Sequence, residues 1–293
     1  LSKSIDFTGG RNFVVLFEKQ VEPETVRTLL ENKFNDATVQ VIALGTDHKT
    51  LRISTNYRIQ EEGTQVDAEI EATLFDALKS GNLLSQDLDL KTFIDRDERA
   101  GGSIISSQKV GPSVAEDITY GAIISVVLAL IAIFLYILLR FRNVAFSVGA
   151  VVALTVDTLL IIGAYSIGWG WMPFSLEIDQ TFIGAILTAI GYSINDKVVV
   201  FDRIREFFHL YPNRDPQRLF NDSLNTTLTR TLNTSLTTLV VLLCILFLGG
   251  ESIRSFAFAM ILGVVIGTCT SIFMAAPVAY LSMGKNIKEA DAE

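Results

Sequence analysis

Hydrophobic residues are distributed very unevenly along the chain, and the long apolar runs lie after residue 120. A run of about 20 apolar residues is long enough to cross the hydrocarbon core of a bilayer as a helix. Five such spans are predicted, at Gly121–Leu139, Val144–Ile167, Thr181–Phe201, Thr227–Leu248 and Phe256–Leu281. We therefore expect a polytopic α-helical membrane protein, with a bundle at residues 120–284 and a tail at residues 285–293.

Residues 1–119 have the shorter periodicities of a soluble α+β domain. Apolar and alternating runs predict strands at Phe13–Phe17, Thr38–Leu44, Thr50–Thr55 and Ser103–Val110. Helical spacing predicts helices at Pro23–Phe34 and Gln65–Lys79. The resulting order βαββαβ is typical of a ferredoxin-like domain. The less regular stretch Gly81–Gly102 is interpreted as a loop.

Basic residues are concentrated in alternate connections between the predicted spans. The second and fourth connections contain only Arg254, whereas the first and third connections and the tail contain eight basic residues. These eight are Arg140, Arg142, Arg203, Arg205, Arg214, Arg218, Lys285 and Lys288. Since short cytoplasmic loops are enriched in Lys and Arg, the C-terminus is predicted to be cytoplasmic and residues 1–119 extracytoplasmic. Trp169 and Trp171 then fall at the outer membrane interface. The odd number of spans leads us to expect a further membrane helix before Leu1.

The charge balance and the scarcity of metal-binding residues exclude several classes of protein. Residues 1–119 carry 13 Lys and Arg against 20 Asp and Glu, and such an acidic domain does not suit nucleic acid. Cys244 and Cys269 lie in apolar runs, while His48 and His209 are far apart and lack neighbouring ligands. We therefore expect no metal, no cofactor and no nucleic-acid partner.

Three ionisable residues lie inside the predicted spans: Asp157, Asp196 and Arg230. A charged side chain near the centre of a membrane helix costs roughly 2.5 to 3.5 kcal/mol on insertion scales, so such residues usually have a function. Asp196 lies near the cytoplasmic end of the third span and Arg230 near the cytoplasmic start of the fourth. Because a helix rises about 1.5 Å per residue, their depths are similar, and antiparallel neighbours would bring them together.

Two interpretations of this pair remain open from the residues alone. Asp196 and Arg230 form either a static ion pair or a proton relay, in which Arg230 controls when the carboxylate is protonated. Asp157 is assigned to the same relay, and Asn195, Lys197 and Thr234 are its polar neighbours. The first half of the fourth span is rich in Thr and Asn, which favours a helix that lines a hydrated path.

Five motifs carry a resemblance to the SecF branch of the bacterial SecD/SecF family, which belongs to the resistance-nodulation-division superfamily. They are SIDFTGG at 4–10, VGPSV at 110–114, IGYSINDKVVVFDRIRE at 190–206, LTRTLNTSLTTL at 228–239 and FLGG at 247–250. The resemblance runs nearly from end to end. It implies a six-helix bundle with an extracytoplasmic domain after the first helix, and the chain resembles SecF without that helix or the C-terminal part of a SecDF fusion.

The resemblance also implies a function in the inner membrane. Proteins of this kind assist translocation through the SecYEG channel after the ATPase SecA, driven by a proton or sodium gradient. The implied partners are SecD, separate or fused, SecYEG, the exported preproteins, YajC and the lipid bilayer. By motif position Asp196 is the essential intramembrane carboxylate, Arg230 is the arginine that works with it, and Asp157 is a further polar position. Lys197 departs from the small Ser or Thr that such proteins usually carry.

Three other functions were compared with this one. A proton-coupled small-molecule exporter of the same superfamily would have a much larger extracytoplasmic domain. An intramembrane aspartyl protease would use Asp157 and Asp196 as a dyad, but the residues before Asp196 do not form the pattern GxGD. A purely structural subunit would give the intramembrane charges no dynamic role. The sequence therefore favours a protein that is not an enzyme.

Overall fold

The computed structural model describes residues 3–34, 37–44, 49–61, 63–95, 101–168, 171, 172, 174, 176–249 and 251–283. The chain forms two compact units. The first unit contains Leu1–Gly121 together with Gly170–Gln180, and the second contains Ala122–Trp169 together with Thr181–Glu293. Trp169 and the tail at residues 285–293, with Lys285 and Lys288, lie outside the described residues.

The first unit is built on a four-stranded antiparallel sheet in the order β2-β3-β1-β4. Its elements are α1 Ile5–Thr8, β1 Gly10–Leu16, α2 Pro23–Lys33, β2 Val39–Leu44, β3 Thr50–Thr55, α3 Thr64–Ser80, α4 Leu90–Ile94 and β4 Ser103–Val110. Apolar side chains that alternate along the strands pack against α2 and α3, and Phe13, Val15, Leu30 and Leu74 are buried among them. The predicted βαββαβ order is therefore confirmed.

The prediction of a loop throughout Gly81–Gly102 is wrong, because the short helix α4 lies inside it. Asp89 caps this helix by accepting a hydrogen bond from the Leu90 backbone at 2.8 Å. Phe93 is fully buried and packs on Phe75, with ring centroids 5.2 Å apart. One turn of helix is too short to show periodicity in a sequence, and tertiary packing stabilises it here.

The connection that ends at Gln180 packs against the sheet unit. The Ser4 backbone donates to the Ile178 carbonyl at 3.0 Å, and the Asp6 carboxylate accepts from the Gln180 backbone at 3.2 Å. Glu177 is buried in this connection, with Arg52 at 3.5 Å. Burial raises the pKa of Glu177 above its ordinary value, although the charge of Arg52 opposes this change.

Among the described residues, five helical segments are long and apolar enough to cross a membrane. They are α5 Pro112–Phe141, α6 Val144–Gly168, α7 Gln180–Leu210, α8 Pro216–Leu248, and a last segment that contains α9 Glu251–Thr270, a π-helical turn Ser271–Ala275 and α10 Ala276–Met283. These helices confirm the predicted fold class. At about 1.5 Å per residue, α5, α7 and α8 are longer than the roughly 30 Å hydrocarbon core, so they extend beyond it.

Local signals explain why these helices begin outside the apolar runs. Pro112 and Pro216 occupy the first position of α5 and α8, where the missing N–H costs nothing. Asp215 accepts from the Arg218 backbone at 3.3 Å, and Asn143 accepts from the Ala145 backbone at 2.8 Å at the start of α6. Prediction from apolar runs alone placed the starts of α5 and α8 about two and a half to three turns too late.

Glycines of α9 allow close packing against α7. A Cβ added at Gly263 would lie 2.4 Å from the Ala189 Cβ, and one added at Gly267 would lie 2.5 Å from the Ser193 Oγ. The spacing of two small residues four positions apart is typical of close helix contacts in membranes. This contact brings the polar side chains of α7 next to those of α9.

Candidate functional site

A buried cluster of charge and hydroxyl groups connects three helices in the middle of the bundle. We call Asp157, Ser193, Lys197 and Thr270 the Asp157 cluster. The Lys197 Nζ lies 3.0 Å from Asp157 Oδ2, 2.5 Å from Ser193 Oγ and 3.3 Å from Thr270 Oγ1. Ser193 donates to Asp157 Oδ2 at 2.7 Å, and Thr270 donates to Asp157 Oδ1. Both charges are thus paired, and each is hydrogen-bonded as well.

The helices position this cluster through simple spacing. Ser193 and Lys197 are four residues apart, so they lie on one face of α7, which is turned toward Asp157 of α6. Thr270 is the last residue of α9, directly before the π-helical turn. Such turns are frequent at functional sites. Gly149 of α6 permits a close approach of this turn, because a Cβ there would lie 2.6 Å from the Ala275 carbonyl oxygen.

Asp196 lies in a separate group of hydroxyls. Its side chain is buried, and the Thr268 hydroxyl is 3.4 Å from Oδ2. The Thr268 Oγ1 is also 2.6 Å from the Ser235 Oγ of α8 and 2.8 Å from the Val264 carbonyl oxygen. One hydroxyl proton cannot satisfy all these acceptors together, so the bonds of Thr268 can be exchanged. We call Asp196, Thr268 and Ser235 the Asp196 chain.

The structure does not contain the expected pair of Asp196 and Arg230. Arg230 is exposed on α8, and within the described part of the chain its side chain forms no ion pair. The face of α8 that packs inward carries Thr227, Thr231 and Ser235, and Arg230 lies about 100° away from Thr231 around the helix. The expected contact was based on similar depth in the membrane, but the rotation of α8 turns Arg230 outward.

The remaining predicted residues are placed as follows. Lys197 neither pairs with Asp196 nor reaches the surface, because its ammonium is bound in the Asp157 cluster. Asn195 and Thr234 are exposed, and the Thr234 hydroxyl donates to the Arg230 carbonyl at 2.9 Å. The Tyr192 hydroxyl of α7 contacts α8 at Thr238 Oγ1, 3.0 Å away.

Sequence reasoning missed Ser193, Thr268 and Thr270, which hold both groups together. A signal was present, since Thr268 and Thr270 form a polar pair inside the last apolar run. Ser235 lies in the polar first half of the fourth span, but the sequence does not indicate its partner. Nothing in the sequence indicates that Thr268 contacts Asp196 while Thr270 contacts Asp157, because that choice depends on the π-helical turn and on packing.

The chemistry available here is proton or ion exchange at carboxylates. Within the described ranges, no group of three or more His, Cys, Asp or Glu residues is arranged to hold a metal ion. No hydrogen bond in these ranges joins Asp157 to Asp196, and the Lys197 charge already neutralises Asp157. The two carboxylates therefore differ in their surroundings, as groups with different functions do.

Five apolar helices that enclose two carboxylates, a lysine and several hydroxyls define a polytopic membrane protein with an intramembrane polar site. Residues 94–285 match the C-terminal family of the protein export membrane proteins SecD/SecF. The chain belongs to this family and, within it, to the SecF subunits of the protein translocase. The resemblance inferred from the five motifs is therefore confirmed, and the chain serves protein export.

Several relatives show how much of the chain this similarity covers. The protein translocase subunit SecF of Rhodothermus marinus is 39% identical over 95% of this chain and 82% of the relative. The SecF subunit of Thermodesulfovibrio yellowstonii is 36% identical over 96% of this chain and 83% of the relative. The crystal structure of SecDF from Thermus thermophilus, a translocon-associated membrane protein, matches with 31% identity and a TM-score of 0.75 over 97% of this chain. The match spans only 35% of that longer SecDF chain.

Proposed function

We propose that this chain uses the proton gradient across the bacterial inner membrane to assist protein translocation through the SecYEG channel, with Asp196 as the residue that takes up and releases the proton. A contrast between the two buried carboxylates carries the proposal. Asp157 is neutralised by Lys197 at 3.0 Å. Asp196 is only 3% exposed, and its one hydrogen bond in the described residues comes from Thr268. A buried carboxylate without an ion pair responds strongly to any nearby movement of charge.

The Asp196 chain provides a route by which protonation can be coupled to helix position. The Thr268 hydroxyl connects α9 with Asp196 of α7 and with Ser235 of α8. The Thr231 hydroxyl, one turn before Ser235 on the same buried face of α8, has no hydrogen-bond partner among the described residues. Protonation of Asp196 turns an acceptor into a donor, so it would change which of these hydroxyls is bonded to which. A bundle with two such arrangements can be biased by one proton.

Arg230 acts in this proposal from the outer face of α8. When α8 rotates and brings its guanidinium toward Asp196, the ionised carboxylate is favoured, and this stabilisation is absent when the two are apart. The gradient supplies work of about 2.3 kcal/mol per charge for each 100 mV, which suffices to bias states that differ by a few kcal/mol.

The exposed polar face of α8 supports SecD, separate or fused, as a partner. Arg230, Asn233, Thr234 and Thr237 recur at helical spacing and are all exposed. A charged and hydroxyl-rich face of this kind is poorly suited to lipid, whereas it suits a contact with another polar helix. Relatives named SecDF exist as longer single chains, and SecD would supply the facing bundle in our proposal. YajC, SecYEG and the preprotein are further proposed partners.

The proposal includes an orientation of the chain in the membrane. Arg140, Arg203 and Arg214 lie at one end of the bundle, which we place in the cytoplasm according to the preference of basic residues. The sheet unit then lies outside the cytoplasm, where an exported chain emerges. No enzyme activity is proposed. The alternative is a proton-coupled exporter of small molecules. Such an exporter would not make protein translocation depend on the gradient, so the experiment below distinguishes the two functions.

The experiment measures translocation of a reporter protein in vesicles that contain the complete export machinery, with and without an imposed proton gradient. Asp196→Asn keeps the size of the side chain but cannot titrate, so it should insert normally and lose the response to the gradient, while Asp196→Glu should keep part of it. The matched control is Asp202→Asn on the same helix, where the carboxylate is exposed and pairs with Arg140 at 2.9 Å. An Asp196→Asn chain that responds fully to the gradient would contradict the relay and leave Asp196 with a structural function only.

A further inference from the structure

The first residue of α7 is bound to the start of the sheet unit by hydrogen bonds. The Asp6 carboxylate accepts from the Gln180 backbone at 3.2 Å, and the Ser4 backbone donates to the Ile178 carbonyl at 3.0 Å. Gln180 begins α7, so Asp6 satisfies one of the backbone donors that the N-terminus of a helix leaves unpaired. Its negative charge is also favourable at that end of the helix. We call the segments 4–6 and 177–180, which these bonds join, the Glu177 clasp.

A carboxylate is buried inside this clasp. Glu177 is only 5% exposed, and its Oε1 atom has no hydrogen-bond partner among the described residues. Its Oε2 atom lies 3.5 Å from the Arg52 guanidinium, which is longer than the usual distance of a charge-assisted hydrogen bond. A buried carboxylate is costly to keep ionised unless it is both paired and hydrogen-bonded. The closed clasp therefore suits a protonated Glu177 better than an ionised one.

Three charged groups act on the Glu177 carboxylate. Burial is the largest influence and raises the pKa of Glu177, the charge of Arg52 on β3 opposes this change, and the carboxylates of Asp179 and Asp6 add to it. When the clasp opens and Glu177 reaches water, its pKa returns toward the ordinary value of about 4.3. The closed clasp thus binds the proton more tightly than the open one, and acid favours closure.

We propose that Glu177 is a pH-dependent switch that keeps the clasp closed in acidic surroundings and opens it in alkaline surroundings. A protonated Glu177 stays buried, and Ser4 and Asp6 then hold the start of α7. An ionised Glu177 moves into water and takes residues 176–180 away from the sheet unit. Asp196 lies about 24 Å further along the same helix. The clasp therefore decides whether the sheet unit and the helix that carries Asp196 move together.

The consequence for export rests on the proposed function, which places the sheet unit outside the cytoplasm. The outer side is the acidic side when a proton gradient is present, so the clasp would connect the sheet unit to α7 under the conditions in which the gradient can do work. The switch itself requires no gradient and no partner. The purified full chain can therefore test it separately from the relay at Asp196.

The experiment measures amide hydrogen exchange of the purified full chain in detergent, from mildly acidic to mildly alkaline pH, corrected for the intrinsic effect of pH on exchange. Segments 4–9 and 176–183 report opening of the clasp. In the wild type their protection should fall by up to about tenfold per pH unit below the raised pKa of Glu177 and level off above it. Glu177→Gln, which is neutral at every pH, should stay protected throughout. Segment 23–33 of α2 should keep its protection in both chains and serves as the control for unfolding.

Two further variants test whether Glu177 is the titrating group. Arg52→Gln removes the cation that favours the ionised form, so the fall in protection should extend to higher pH. Asp196→Asn should keep the pH dependence of the wild type even where it abolishes export, and its loss there would assign control of the clasp to the bundle.

The proposal is wrong if protection of the clasp in the wild type does not vary with pH, or if Glu177→Gln varies as the wild type does. If Glu177→Gln also loses protection in segment 23–33, the unfolding of this variant prevents the comparison, and Arg52→Gln decides. A fall in protection that extends to higher pH in Arg52→Gln then supports the switch, and an unchanged profile or a shift to lower pH overturns it.

Discussion

Lys197 of α7 and Asp157 of α6 form an ion pair of 3.0 Å, in which the side chains are 0% and 3% exposed. A buried pair of this kind contributes little compared with apolar packing, but breaking it by removing one partner costs about 3 to 5 kcal/mol. A substitution that removes only one of the two charges should therefore destabilise the protein much more than a double substitution that removes both.

We expect Asp157→Asn to lower the free energy of unfolding of the bundle by about 3 kcal/mol, because Lys197 remains buried without its counter-charge. The double variant Asp157→Asn with Lys197→Met should recover most of this loss. Reversible unfolding in detergent measures both. The control is Asp202→Asn, which removes an exposed pair with Arg140 and should cost less than about 1 kcal/mol. Equal stability of wild type and Asp157→Asn would contradict the prediction.

Gly267 of α9 determines how closely Ser193 of α7 can approach. A Cβ at Gly267 would lie 2.5 Å from the Ser193 Oγ and 2.9 Å from its Cβ. Gly267→Ala should therefore push the helices apart and cost about 1 to 3 kcal/mol, as overpacking does. Because Ser193 bonds to both Asp157 and Lys197, export activity should fall as well.

The matched control for this substitution is Gly191→Ala on α7. A Cβ there would meet no atom within 4 Å, so its stability should stay within about 0.5 kcal/mol of the wild type or rise slightly. Thermal unfolding of the two variants side by side decides the question. Helix propensity favours Ala over Gly at both positions, so similar losses in both variants would show that the contact with Ser193 is not responsible.

The polar face of α8 should be covered by another protein in the membrane. A photo-cross-linking residue placed at Asn233 or Thr237 should form an adduct with SecD, or with the SecD part of a fused chain. The same residue at Leu232 should label lipid, since Leu232 is exposed and lies about 100° from Asn233 and about 140° from Thr237 around the helix. The adducts are detected by immunoblot. Equal yields from both faces would remove the argument for a partner at Arg230.

The orientation of the chain can be tested by cysteine labelling in a Cys244→Ser, Cys269→Ser background. Gln86 in the sheet unit and Asn213 between α7 and α8 are both exposed. In intact cells with a permeable outer envelope, a membrane-impermeant thiol reagent should label Gln86→Cys at least tenfold more than Asn213→Cys, and lysis should equalise them. The opposite pattern would place the sheet unit in the cytoplasm.

The stability of the sheet unit should depend on pH through Glu177. Burial raises the pKa of Glu177, so the folded state binds this proton more tightly than the unfolded chain does. As the pH falls from neutral through the raised pKa toward the unfolded value of about 4.3, the contribution of Glu177 to stability should increase. Glu177→Gln should be more stable than the wild type near neutral pH, and this advantage should shrink on acidification.

A pH series of thermal unfolding experiments on the full chain, with a probe in the sheet unit, measures this effect. Glu24→Gln serves as the control for the loss of a carboxylate in the same unit, because the Glu24 side chain is 72% exposed. If the difference between Glu177→Gln and the wild type is constant across the series, Glu177 does not titrate in the way we expect.

The class of this protein and most of its helices and strands follow from local patterns of residues. Apolar runs of bilayer length predict helices wherever they occur, because lipid leaves the backbone no other way to satisfy its hydrogen bonds. Alternation in residues 1–119 predicted the four strands in their order, since each strand must bury one face. The elements that the patterns did not predict are short or polar. They are the helix α4 and the polar first turns of α5 and α8, which lie outside the apolar runs.

Which polar residues contact each other depends on how the helices pack. The predicted similar depth of Asp196 and Arg230 follows from counting residues along each helix. Contact also requires the rotation of each helix about its axis, which is set by the packing of small residues such as Gly267 against Ser193 and of Thr231 and Ser235 toward the interior. That packing turns Lys197 toward Asp157 and Arg230 away from Asp196. Rotation depends on contacts with residues far away in the chain, so no local pattern contains it.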